Sequence, residues 1–224
     1  MIPLDVRGVR RLLCLGAHGD DIEIGCGGTV LTLAAAVPGL VVRWVVFTSD
    51  DRRRPEALAC AERFVRGTCA EISVYAYRDA FLRYDPAVKE EFERLKDFGP
   101  DLVLTHFRGD AHQDHRLVAE LTWNTFRGHL ILEYEVPKYD GDLGAPSVFV
   151  PLDPAIAEDK VRHVLECYKS QAHRHWFSRD VFMALMRLRA MEADAPSGAA
   201  EAFYARKVVL GIERTPERAG ESRA

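Results

Sequence analysis

Two short stretches of this 224-residue chain hold the residue types and spacings best suited to chemistry. The first, Ala17-His18-Gly19-Asp20-Asp21-Ile22-Glu23, directly follows the apolar run from Leu12 to Ala17. Charges set against the end of a buried segment are costly unless something pairs with them. His18 and Asp21 stand three apart, so in a tight strand-to-helix turn both can point at one spot. An imidazole and a carboxylate together suit Zn²⁺ or Fe²⁺. Asp20 can face the same cavity without binding the ion. The plainer alternative is that Asp20, Asp21 or Glu23 caps the following helix. The second stretch is Asp110-Ala111-His112-Gln113-Asp114-His115. Residues three apart share a helix face, so His112 and His115 aim together. Asp110 is placed to cap that helix, and Asp114 can orient a histidine ring by accepting its N–H.

Such side chains meet only if the elements bearing them do. Apolar, β-rich runs predict strands at Arg11–Ala17, Val41–Thr48, Glu71–Tyr77, Asp101–His106, Ile131–Val136 and Ser147–Leu152. Helices are predicted at Gly27–Val37, Pro55–Arg66 and Pro86–Phe98, from the second motif to about Phe126, and at Pro154–Ser170 and Ser178–Glu192. A short helix at Ala199–Tyr204 and a last strand at Lys207–Leu210 close the chain. Strands separated by helices argue for parallel β-α-β units. The expected fold is a Rossmann-like three-layer α/β sandwich with a mostly parallel sheet. Working residues gather outside the carboxyl ends of such strands. That places His18, Ser49–Asp51 and His106–His115 on one rim. One domain is expected over residues 1–214, with residues 215–224 a disordered tail.

Composition narrows the classes. The chain is 48% hydrophobic with net charge −4, and it has no extended basic stripe, so nucleic acid is not favoured as a partner. The apolar region Thr29–Phe47 is broken by Pro38-Gly39 and Arg43, and the amino terminus lacks a signal-peptide core, so no membrane partner is expected. Five cysteines without a C-x-x-C pair read as free thiols in a reducing, cytoplasmic compartment. Gly25-Cys26-Gly27-Gly28 does not complete a dinucleotide fingerprint, because Val30 stands where the last glycine belongs.

The pair AHGDDIEIGCGGT and, much later, H-x-D-H resembles the PIG-L/LmbE-type zinc-dependent de-N-acetylases. The likeness extends to Lys160…Tyr168-Lys169-Ser170-Gln171 and to Ala200-Glu201-Ala202-Phe203, and so runs from about Leu12 to Val209. It implies that His18, Asp21 and His115 bind the metal. It implies that Asp20 is the general base and that His112 faces the reacting carbonyl; Asp114, as the residue orienting a histidine, is counted with them as catalytic. Gly19 and Gln113 stand where the family commonly has proline, and Asp110 where some members carry a tyrosine whose role is not transferred. The implied activity is hydrolysis of an N-acetyl group from a small-molecule amino-sugar conjugate of GlcNAc type, by Zn²⁺ or Fe²⁺. A homo-oligomer is compatible with this. An amidase for another conjugate, a non-haem Fe(II) oxygenase and a non-catalytic sugar- or nucleotide-binding module are the competing readings. Asp50, Arg52–Arg54, Tyr139 and Asp140 are candidates for substrate contact against a plainer reading as solvated loop residues. His173–Phe177 is a sugar-stacking platform or a surface turn with a packed Trp176.

Overall fold

The computed structural model describes residues 8–210, and the tail expected over 215–224 lies outside them. Among the described residues seven strands and six α-helices follow one another, alternating as far as β5. They are β1 (Arg11–Gly16), α1 (Asp21–Ala36), β2 (Val41–Thr48), α2 (Arg53–Phe64), β3 (Cys69–Tyr77), α3 (Pro86–Leu95), β4 (Leu102–His106), α4 (Gln113–Thr125), β5 (Leu130–Tyr134), β6 (Val148–Pro151), α5 (Pro154–Cys167), α6 (Arg179–Glu192) and β7 (Ala200–Tyr204). The strands form one sheet in the order β3-β2-β1-β4-β5-β7-β6. Strands β1 to β5 pair in parallel, and β7 runs antiparallel between β5 and β6. The expected sandwich, mostly but not wholly parallel, is what forms.

Continuous apolar strands are covered on both faces, and their period of two sorts them into two cores. Leu12 and Cys14 of β1, Val42, Trp44 and Val46 of β2, and Leu102 and Leu104 of β4 pack beneath α1, α2, α5 and α6. Leu13, Leu15, Val45, Phe47 and Val103 point the other way, under α3 and α4. Local signals set the helix starts. Asp85 and Asp153 each precede a proline and accept the N–H of Ala87 (3.0 Å) and Ala155 (2.8 Å), capping α3 and α5.

Three expectations are corrected. Helix α1 begins at Asp21, not at Gly27, so Gly25, Gly27 and Gly28 lie inside it, where their poor helix propensity hides the turn from sequence. Ala200–Tyr204 is a strand, although Ala and Glu are strong helix formers; the gap between β5 and β6 decides it. Residues 207–210 have no regular structure.

Candidate metal centre and cavity

The strand order reverses between β1 and β4, the place where open α/β sheets leave a crevice at their carboxyl ends. His18, Asp20 and Asp21 leave β1 there, and Asp110 to His115 leave β4. The two motifs, some hundred residues apart in sequence, therefore face each other.

His18 Nδ1 lies 3.2 Å from His115 Nε2 and 3.3 Å from Asp21 Oδ2, which is 3.4 Å from His115 Nε2. The outer nitrogens have their own acceptors: His18 Nε2 donates to Asp79 Oδ1 (3.0 Å) and His115 Nδ1 to Asp110 Oδ2 (2.9 Å). In the neutral rings, with the protons on the outer nitrogens, two nitrogen lone pairs and a carboxylate oxygen face one point, and the same Asp21 oxygen accepts the His18 backbone N–H at 2.6 Å. Three ligands of one tetrahedral zinc, about 2.0–2.1 Å from the ion, stand about 3.3–3.4 Å apart. The donor set and the size of the triangle fit such an ion. The electrostatics ask for positive charge as well. Burial alone would depress the histidines, yet Asp21 and the facing carboxylates push His18 well above the usual imidazole range and raise His115. Burial likewise works against ionised Asp21, but the surrounding imidazoles, His115 first, hold it well below the carboxylate range.

Asp110 was expected as the cap of α4. That place is taken by His112, whose Nδ1 accepts the Asp114 N–H at 3.3 Å. Asp110 instead grips the His115 ring, helped by Lys138 Nζ (3.0 Å from Asp110 Oδ2). Because Nδ1 of His112 is an acceptor, its proton sits on Nε2, and the residue lines the cavity. Burial and the neighbouring His115 and His18 lower its pKa, so it faces the cavity as a neutral N–H donor. Asp114 Oδ2 accepts the Ala80 N–H at 2.7 Å and lies 3.7 Å from His18 Nε2, beyond hydrogen-bond reach. Its expected hold on a histidine ring is therefore exerted by Asp79 and Asp110. Asp20 is buried beside the trio, and Arg53 Nη2 donates to its Oδ1 at 2.6 Å. No side chain engages its other oxygen among the described residues. Of the arginines 52–54, Arg53 thus points inward.

A cavity of about 280 Å³ opens above these groups. Its wall includes Lys138, Tyr139, Asp140, Arg174 and Trp176, so the candidate contact residues Tyr139 and Asp140 face it, and Trp176 is shared between cavity and core edge. Tyr139 and Trp176 meet edge to face, 6.2 Å between ring centres. Asp50 turns away, accepting the N–H groups of Arg52 (3.0 Å) and Arg53 (2.7 Å) at the start of α2.

The sequence reading set His106 on the shared rim without giving it a role, and it missed Asp79 and Lys138. His106 is fully buried at the end of β4, stacked on His115 (3.9 Å, 20°), with Nε2 accepting the Ala17 N–H at 2.9 Å. Its place at a strand terminus on the shared rim was the available signal. Asp79 and Lys138 carried none beyond following β3 and β5.

The PIG-L family model, described as GlcNAc-PI de-N-acetylase, matches residues 13–126. No curated protein matches the chain. Solved structures share the fold at low identity. A conserved protein of Thermus thermophilus superposes with TM-score 0.73 at 20% identity, over 92% of this chain and 100% of that one. The N,N'-diacetylchitobiose deacetylase of Pyrococcus horikoshii does so at 0.64 and 20%, over 89% and 84%. The 4-carboxy-2-hydroxymuconate hydratase GalB of Pseudomonas putida KT2440 does so at 0.74 and 17%, over 92% and 100%.

Proposed function

The chain belongs to the PIG-L family, and on that premise we propose that it is a metal-dependent hydrolase removing the acetyl group from an N-acetylated amino-sugar conjugate. The observation that carries this reading is the convergence of His18 Nδ1, His115 Nε2 and Asp21 Oδ2, with a carboxylate oxygen of Asp20 uncommitted beside them. Those three side chains would hold the ion, which we assign as Zn²⁺, with Fe²⁺ accepting the same donors. When bound, it supplies Lewis acidity, making water a better nucleophile and a carbonyl a better electrophile.

The protein's own groups do the rest. Asp20 takes a proton from the attacking water, and Arg53 keeps its carboxylate aimed by fixing the other oxygen. The His112 Nε2–H donates to the carbonyl oxygen as negative charge develops there, a contact typically worth a few kcal/mol. Asp20 then passes its proton to the departing nitrogen. Water adds across the C–N bond, leaving acetate and a free amine. The cavity takes a sugar-sized group, and Tyr139 and Trp176 offer aromatic faces to a ring.

Acetate release, screened over N-acetylhexosamine conjugates with and without a chelator, tests the reading. Chelation should abolish release, and Asp20→Asn should keep stoichiometric metal while losing about 10²–10⁴-fold in turnover. Normal turnover by that variant removes Asp20 from its role. A hydratase shares this fold at least as closely as the deacetylase does, so addition of water to an unsaturated carboxylate is the second reading. It predicts hydration of an enoate with no acetate formed.

A further inference from the structure

The metal reading leaves one ring unexplained: nothing in either motif holds His18 so that Nδ1, not Nε2, faces inward. We propose that Asp79 is the positioning residue for His18, and that a strained backbone at Ala80, gripped from both sides by the first turn of α4, is what delivers it. This rests on His18 being a metal ligand.

Four observations carry it. Asp79 Oδ1 stands 3.0 Å from His18 Nε2. That is a hydrogen-bond length for an imidazole N–H donating to a carboxylate oxygen. Ala80 has φ of 64°, a left-handed conformation that a residue with a Cβ adopts only when its surroundings impose it. Both of its backbone polar groups are held by consecutive residues of the second motif. Asp114 Oδ2 accepts its N–H at 2.7 Å, and Gln113 Nε2 donates to its carbonyl at 3.0 Å. Finally, the Asp79 side chain is 70% exposed, so no packing would hold it on the ring without that clamp.

The consequence is a relay between the two motifs. The two residues between His112 and His115 also fix, through Ala80 and Asp79, the tautomer and tilt of His18. Gln113 thereby has a task that a proline at this position could not perform, since proline has no side-chain donor. Asp114 acts on His18 through the loop and not directly, which explains why its carboxylate lies 3.7 Å from the ring and is fully buried all the same.

The test is metal affinity, read by chelator competition with Zn²⁺ and by the visible spectrum of the Co²⁺-substituted protein. Asp79→Ala should lower Zn²⁺ affinity about 10–100-fold and alter the Co²⁺ bands, the usual effect of losing a ligand's orienting partner. Asp79→Asn keeps an acceptor oxygen and should recover most of the loss. Gln113→Ala should weaken binding less than Asp79→Ala does. The unfolding midpoint of the metal-free protein should not move in Asp79→Ala, which separates positioning from a structural role. An Asp79→Ala protein that binds Zn²⁺ within about twofold of wild type overturns the proposal while leaving the ligand set intact; wild-type protein that binds no divalent ion overturns the ligand set itself. If Asp79→Ala does not fold, Gln113→Ala decides on the same readouts: weakened Zn²⁺ binding with altered Co²⁺ bands supports the proposal, and wild-type affinity overturns it.

Discussion

His106 shows how a single side chain can matter without touching a substrate. Its ring backs His115, and its Nε2 takes the last amide of the β1 turn, 3.2 Å from Asp21 Oδ2. Burial, then the His115 charge, depresses its pKa to about 4. A base depressed in the fold stabilises it above the unfolded value of 6.5, and this contribution is lost as pH falls through the window from 6.5 to 4. A shift of that size is worth up to about 3 kcal/mol. In His106→Asn, whose amide oxygen can still accept the Ala17 N–H, the wild-type loss of unfolding free energy between pH 6.5 and pH 4 should be smaller by that order. Urea titrations at several pH values would read it, and parallel curves for the two proteins would remove His106 from the account. Legibility at this level was partial. The histidines and aspartates of the two motifs stood out by type and spacing. The partners did not, because Asp79 reaches His18 across 61 residues, and Asp110 was read as a cap when its real partner was a ring.

Helix α1 must come close to the sheet for Asp21 to reach the rim, and its glycines allow that. A Cβ on Gly25 would lie 2.1 Å from Tyr134 Cδ2, and one on Gly27 would lie 2.5 Å from Phe64 Cε1. Tyr134 cannot yield freely, since its hydroxyl donates to the Leu15 carbonyl at 2.7 Å. Gly25→Ala therefore sets two effects against each other. Alanine improves helix propensity by about 1 kcal/mol, but overpacking a close-packed core costs about 1–3 kcal/mol and more when no rotamer relieves it. The clash wins, and a melting temperature several degrees lower is expected for a domain of this size. A variant as stable as wild type would show that the ring moves at little cost. The same glycines explain why sequence placed the start of α1 six residues late: their intrinsic preference opposes a helix that packing requires.

Across the molecule, one buried ion pair ties the far end of the chain to the helix that carries Asp21. Lys160 of α5 donates to Glu201 of β7 at 2.6 Å, and Glu201 also accepts the N–H groups of Gly28 (2.8 Å) and Thr29 (2.7 Å) in α1. All of this lies out of water, so removing one partner strands the other. Glu201→Ala should cost about 3–5 kcal/mol in denaturant unfolding, and the double variant Lys160→Met, Glu201→Gln should cost less, since no unpaired charge remains. A loss under about 1 kcal/mol in the single variant would show that water reaches Lys160. Hydrophobic periodicity and turn chemistry are local, and they were enough to specify alternating strands and helices, a parallel sheet and a shared rim for His18, Asp21 and His115. The antiparallel insertion of β7, the inward turn of Arg53, the Ala80 clamp and the pairing of each carboxylate with its ring were settled only on folding. Apart from Asp110 and His115, which are neighbours in sequence, those contacts join residues tens of positions apart, such as 33 for Arg53 and Asp20 and 61 for Asp79 and His18, and their energies depend on burial and geometry that no short stretch encodes.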